Sequence, residues 1–341
     1  MKTKPTKKQI EEQRIERVKE MLCKRLSKKT GGNLAKQLIR GAEGALELDD
    51  FEIWSTQRLE PQLVWLDNND YTRAITRALP QALRFAPTDF GKPRQRDLGQ
   101  LWTDTARGFL GEIGFQKFLF EKFEKRVELD TTMDKTVEEY ILSDLKCVVE
   151  SDGTKRPPRI KVSVKAGKFN ARWLDEYGAK KARVVDVFVF VRVGTVREHF
   201  VAFLKAISFL RDKLFPLAEQ LGELTKEGSE ELWRTIPEFE PVPAYITGYL
   251  ERGGITLPIH EVTFRVPKKG QKKIIITQGV GVFSKHTLRA VPEIKRCDPD
   301  EKFPLVIDGI KKTLDEHDHF FAHTGSLKYG AEPWRKLVER L

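Results

Sequence analysis

Residues 141–168 read ILSDLKCVVESDGTKRPPRIKVSVKAGK, and the order of signals in this stretch decides the fold. Residues 137–149 read as extended chain that carries Asp144. Asp152-Gly153 is a turn signal, and Pro157-Pro158 closes the connection. From Ile160 to Val164 apolar and polar residues alternate, the period of a strand with one face covered. Working outward, Ala171 to Ala182 reads as a short helix. Val184 to Val193 is a β-branched and aromatic run of the type expected for a buried central strand. Upstream, residues 99–124 predict a helix with Leu101, Trp102, Ala106, Phe109, Leu110, Ile113, Phe118 and Leu119 on a broad apolar face. Gly111 and Gly114 bracket Glu112 in it. Each glycine weakens a helix by about 1 kcal/mol relative to alanine, so the pair implies close packing beside that carboxylate.

The order helix, strand, strand, helix, strand specifies an α/β layer. A helix between two strands implies a right-handed crossover and at least one parallel pair within a central mixed sheet. The reading continues on both sides. Residues 1–40 look helical through Ile15, Val18, Leu22 and Leu26, with Gly31-Gly32-Asn33 breaking the pattern. Helices are expected at 41–47 and 70–84, and a loop runs through Pro87, Gly91, Lys92 and Pro93. Downstream, 199–207 offers a strand, 208–235 helix, and Ala244 to Leu250 a further strand. Residues 261–266 and 273–283 are β-rich, and a helical tail is expected from about 305. This divides the chain into a basic helical N-terminal region (1–98), a core (99–253) and a C-terminal β-rich and helical extension (254–341).

The chain has 341 residues, enough for a full core or two domains. Its apolar runs fall short of the roughly 18 residues of a membrane span, and its Lys-rich start lacks the apolar core of a signal peptide. Cys23, Cys147 and Cys297 are odd in number and far apart, which predicts neither a disulfide framework nor a zinc cluster. A reducing, cytoplasmic setting follows. The net charge is +11, and residues 1–40 hold thirteen Lys or Arg against four Glu. Most of the excess is therefore a local basic arm, either a solvated helical tail or a phosphate-binding element.

A sheet-borne phosphodiesterase needs carboxylates that hold a divalent cation beside the scissile phosphate, and a lysine that steers water or offsets developing charge. Two adjacent strands supply these if one carries the acid and the next an x-Lys pair, since residues two apart share a face. Asp144 and Ser163-Val164-Lys165 stand in that relation, nineteen positions apart. Hard oxygen ligands suit Mg²⁺.

This ordered set resembles the PD-(D/E)XK nuclease superfamily, which includes most type II restriction endonucleases. The likeness covers about residues 101–193: RGFLGEIGFQKFL, the Asp144 strand, SVK, FNARWLDEYGAKKA and VVDVFVFVRV. It implies a restriction-endonuclease-like core and a Mg²⁺-dependent endonuclease acting on double-stranded DNA. Asp144 and the Val164 carbonyl would be metal ligands and Lys165 the water-positioning base. The family places Asp or Glu where this chain has Ser163, and a serine cannot replace that charge. Some members with Ser-x-Lys take the acid from the following helix, where Asp175 and Glu176 stand here. Glu112 on the leading helix is the other candidate and, with its flanking glycines, the favoured one. Glu112 would need a partner such as Lys165 or Arg107. Asp186 reads as strand-end structure.

Cutting both strands of a duplex symmetrically calls for a homodimer. The alternatives are a non-catalytic nucleic-acid-binding protein of the same fold, and a nuclease acting on RNA or structured DNA. Lys268, Lys269, Lys272 and Lys273 read as a basic turn that is solvated or contacts phosphate. His317, His319 and His323 could bind zinc, but no single helix or strand period places all three on one face.

Overall fold

The computed structural model describes residues 6–40, 51–89, 97–131, 143–177, 184–255, 260–265, 274–283, 304–307, 310–313 and 319–341. Two helices lead, α1 (Lys7–Leu22) and α2 (Lys28–Arg40). A short helical segment follows at 51–59, then β1 (Leu63–Leu66), α3 (Asn68–Asp89) and the long α4 (Leu98–Phe123). Next come β2 (Arg126–Leu129), β3 (Leu145–Val149), β4 (Lys155–Arg156), β5 (Val162–Lys168), β6 (Trp173–Tyr177) and β7 (Val187–Val193). Helical residues 199–235 include α5 (His199–Ala206) and α6 (Lys226–Thr235), and β8 (Val242–Glu251) follows. The chain ends with β9 (His260–Arg265), β10 (Ile274–Phe283), β11 (Pro304–Ile307), β12 (Ile310–Thr313), β13 (His319–His323) and α7 (Ala331–Glu339).

The protein is α/β, with a mixed sheet flanked by helices. Its central sheet runs β1-β8-β7-β5, with β5 parallel to β7 and the other pairs antiparallel. One face, carrying Val162, Val164, Val189, Val191, Ala244 and Ile246, is covered by Ile75, Leu110, Ile113 and Trp334 of α3, α4 and α7. The other face is covered in two places. Tyr245 and Phe169 join Leu22, Leu34 and Leu38 of the N-terminal helices. Phe188, Phe190 and Leu250 meet Leu174 and Ala322 of a second, six-stranded sheet, β12-β11-β10-β13-β6 with β9 on β10. Gln62 links the layers. Its Oε1 accepts from Trp334 Nε1 (2.7 Å) and Gly330 N (2.9 Å), while its Nε2 donates to Ile246 O (2.8 Å).

Several expectations change. Residues 173–177 form a strand rather than a helix, pairing antiparallel with β13 in a register that sets Asp175 opposite Phe321 and Glu176 opposite Phe320 along the backbone ladder. The parallel β5–β7 pair is present, but its crossover carries this strand. Residues 199–206 are helical: the buried positions are His199, Ala202, Phe203 and Lys205, and the 0, 3, 4 spacing of the first three is the helical one. The strand expected at 199–207 is therefore replaced by a helix. Helix α2 runs through Gly31 and Gly32, and the break lies at residues 23–27. A Cβ at Gly31 would stand 2.5 Å from Cys23 Sγ, so the glycine lets α1 and α2 close on each other. After 304 the chain forms three short strands before α7, instead of a continuous helical tail. Residues 63–89, grouped by sequence with the N-terminal region, contribute a strand to the central sheet and a helix on α4. The helix expected at 41–47, Lys268–Lys273 and His317 lie outside the described residues. Among the described residues, no helix is long and apolar enough to cross a membrane.

His199 is a buried polar anchor of α5. Its Nδ1 accepts from Val196 N (2.8 Å), which leaves the proton on Nε2 to donate to Glu240 O (3.1 Å). Burial holds its pKa below the ordinary value of 6.5, against the smaller opposing pull of Glu240 and Glu198. The unfolded chain therefore takes up a proton near pH 6.5 before the folded one does. This contribution to stability is complete above that pH and is lost as pH falls toward the folded pKa. Urea unfolding at about pH 7.5 and 5.5 checks this: the wild type should lose more stability between them than His199→Asn.

Candidate active site

Helix α4 begins at Asp97, whose side chain accepts from Gln100 N (2.8 Å) and caps the helix. Where it crosses the sheet, side chains would hold it off. A Cβ on Gly111 would stand 2.6 Å from Ala166 Cβ, and one on Gly114 would stand 2.9 Å from Ala244 Cβ. The two glycines thus let the backbone lie directly on β5 and β8, as the sequence implied. Glu112, between them, is carried to the rim of the sheet with its side chain 14% exposed.

Opposite stands Asp144, the residue before β3. Its backbone N donates to Val162 O (2.9 Å), and its Oδ2 accepts from Val164 N (2.5 Å). Both bonds lie along the edge of β5 away from β7, so the Asp144 carboxylate is pinned there. A strand residue points its N–H and C=O to the same side, which puts the Val164 carbonyl on that edge too. Asp130 continues the line, donating its N–H to Asp144 O (3.0 Å). Gln81, Thr105, Phe109, Glu112, Asp130 and Asp144 line a cleft of about 250 Å³.

Glu112 is held by Arg77 of α3. The Arg77 Nη2 atom lies 3.3 Å from Glu112 Oε2 and donates to Asp130 O at 2.9 Å, with the guanidinium 4.3 Å from the Phe109 ring centroid. Burial pushes the Glu112 carboxyl well above the usual carboxylate range, and nearby Asp144 pushes it further. Arg77, and after it Lys165, act in the opposite sense. The expected partner Arg107 pairs instead with Asp104 (2.9 Å).

Ser163 and Lys165 alternate with Val162, Val164 and Ala166, and so occupy the other face of β5. Because α4 rests on Ala166, these two residues face the side of Phe188 and Phe190, with Ser163 buried and Lys165 half-buried. The structure therefore brings Glu112 and Asp144 to one cleft. Lys165 is near enough for its charge to act on Glu112, from the far side of the edge strand. Asp175 and Glu176 are on β6, away from α4. Asp186 has a structural role: its Oδ2 accepts from Lys161 N (2.8 Å) and its Oδ1 lies 3.5 Å from Arg252. His319 and His323 stand at the two ends of β13, about 13 Å apart for four strand steps.

Arg77 and Asp130 escaped the sequence reading. Arg77 lies beside the buried stripe Ala74, Ile75 and Ala78, which marks it as close to the core, but its partner is on another helix. Among the described residues, no three His, Cys, Asp or Glu side chains group as a metal-ligand set. The pair Glu112 and Asp144, with the Val164 carbonyl, still fits Mg²⁺, which needs only one or two carboxylates and keeps several waters. A buried carboxyl whose ionisation a neighbouring acid opposes, as Asp144 opposes that of Glu112, is also what a cation would relieve. Comparison with protein families, curated proteins and solved structures finds no match to this chain.

Gly111→Ala should destabilise the fold by about 1–3 kcal/mol, because strain against Ala166 outweighs the gain in helix propensity. The urea midpoint would show it; an unchanged or raised midpoint would mean the two backbones separate freely.

Proposed function

We propose that this chain is a metal-dependent endonuclease of the restriction-endonuclease-like kind, hydrolysing phosphodiester bonds of duplex DNA at the cleft between α4 and the edge of β5. One observation carries the reading: Glu112 and Asp144 face each other there, within reach of the charge of Lys165. The ordered elements α4, β2, β3, β5 and β7, with β5 and β7 parallel, support it.

A divalent cation bound at the cleft supplies a Lewis acid that lowers the pKa of water and offsets charge on the phosphate. Asp144 would hold it through the lone pairs that Val164 N–H leaves open, and Glu112 through the oxygen that Arg77 does not engage. Arg77 aims Glu112 and offsets its charge beside Asp144. Lys165, on the opposite face of β5, would act on the cleft through the reach of its charge, which lowers the cost of developing negative charge. The basic helices α1 and α2 would grip the DNA backbone, positioning the duplex without reading its sequence. A sequence-specific cut, as by a type II restriction enzyme, is the form of the activity that the likeness implies.

A second reading has its own observation. Ser163 is 7% exposed beside Phe188 and brings no carboxylate to the cleft, as expected of a DNA-binding protein that does not cut. Mixed-sequence duplex DNA incubated with Mg²⁺ separates the two. The endonuclease should release fragments, and Asp144→Asn and Lys165→Ala should each cut about 10²-fold more slowly or worse, with unchanged circular dichroism. Undiminished cutting by both variants would place the activity elsewhere. Salt-sensitive binding without cutting would favour the second reading.

A further inference from the structure

Between residues 108 and 114 helix α4 holds three glycines, one every three residues. Two have a steric reason. Gly114 lies against Ala244 of β8 and Gly111 against Ala166 of β5, so the helix crosses the sheet toward its edge strand, β5. Gly108 comes one turn earlier, where α4 has passed that strand. Among the described residues, a Cβ added there would meet nothing within 4 Å. A glycine weakens a helix relative to alanine, and no described neighbour calls for this one. Its open side faces the cleft. Gly108 forms the cleft wall with Thr105, Phe109 and Glu112, at the 0, 3, 4, 7 spacing of a single helix face.

The lining of the cleft says what that space suits. Glu112, Asp130 and Asp144 are its acids. Thr105, two turns of α4 before Glu112, and Gln81, one turn of α3 beyond Arg77, bring a hydroxyl and an amide without charge. Among the described residues neither of these side chains has a hydrogen-bond partner. A phosphate can enter among the acids only with a cation, and so lies beside Glu112 and Asp144. One helical turn away, about 6 Å along α4, is Gly108. At that distance a phosphodiester strand carries its sugar, which is uncharged, offers oxygens to Thr105 and Gln81, and needs room at the wall. The cleft, about 250 Å³, has the volume of roughly eight waters, which suits one sugar-phosphate unit and excludes a base pair.

Building on the reading of the cleft as a nuclease site, we propose that Gly108 is a substrate-binding position. Its missing side chain lets the deoxyribose next to the scissile phosphate lie against the backbone of α4, with Thr105 and Gln81 as hydrogen-bond partners of the sugar oxygens. A single strand of the duplex is thereby drawn into the cleft, and its bases stay outside.

Gly108→Ala and Gly108→Leu test this in the full chain, through urea unfolding, Mn²⁺ binding and cleavage of mixed-sequence duplex DNA with Mg²⁺. The urea midpoint of Gly108→Ala should equal or exceed that of the wild type, because alanine favours the helix and meets no described neighbour. Its Mn²⁺ affinity should be unchanged, since the cation ligands lie a turn away. Yet kcat/KM should fall by about 10-fold in Gly108→Ala and by about 100-fold or more in Gly108→Leu, as a growing side chain displaces the sugar and with it the phosphate. A lowered midpoint in Gly108→Ala would overturn the proposal, since the glycine would then serve packing. Wild-type cutting by Gly108→Leu, alongside loss of cutting in Asp144→Asn, would leave the active site in place and remove Gly108 from it. A wild type that binds DNA without cutting it would overturn both readings.

Discussion

The structure depends on how closely α4 approaches the central sheet. Two glycines one turn apart remove the side chains that would hold the helix off Ala166 and Ala244. With the backbone seated there, Leu110, Ile113, Phe115 and Phe118 enter the core, and Trp334 of α7 closes over Phe115 and Phe118. The cost to helix propensity is about 1 kcal/mol per glycine, and burial of several large side chains at about 1.5–3 kcal/mol each outweighs it. The same approach takes Glu112, the residue between the glycines, out of water.

That placement makes the cleft electrostatically demanding. A carboxylate without partners in such a position is costly, and removal of one member of a buried pair typically destabilises by about 3–5 kcal/mol. Arg77 is the counterweight to Glu112, and its second bond, to Asp130 O, ties it to the chain leading toward β3. Asp144 is stabilised differently, by a backbone N–H at the edge of β5. The two acids are thus held by unrelated parts of the fold and brought together by the seating of one helix. Arrangements in which carboxylates oppose each other in a cleft are common where charge is to be handled.

Local patterns carried much of the fold. The 3.6-residue period of α4, the β-branched run of β7 and the alternation entering β5 each report burial by near neighbours, and the structure bears them out. The misreadings fall where tertiary context decides. Residues 173–177 pair with a strand that lies about 150 positions later, and no local pattern announces such a partner. Residues 199–206 are apolar enough for either state, and it is the 0, 3, 4 spacing of His199, Ala202 and Phe203 that selects the helix. At the site, the closeness of Glu112 to the sheet was legible from its glycines, and Asp144 from its spacing to Ser163-Val164-Lys165. Arg77 was not, because an arginine beside an apolar stripe names no partner. The opposite faces of Glu112 and Lys165 were also hidden, since they follow from which side of β5 receives α4.

The proposed cation site joins Glu112 and Asp144. Titration of the purified chain with Mn²⁺, followed by electron paramagnetic resonance, tests it without substrate or turnover. Saturable binding is expected, lost in Asp144→Asn and weakened in Glu112→Gln, with circular dichroism unchanged. Binding of equal strength in the wild type and both variants, or none in the wild type, would contradict it.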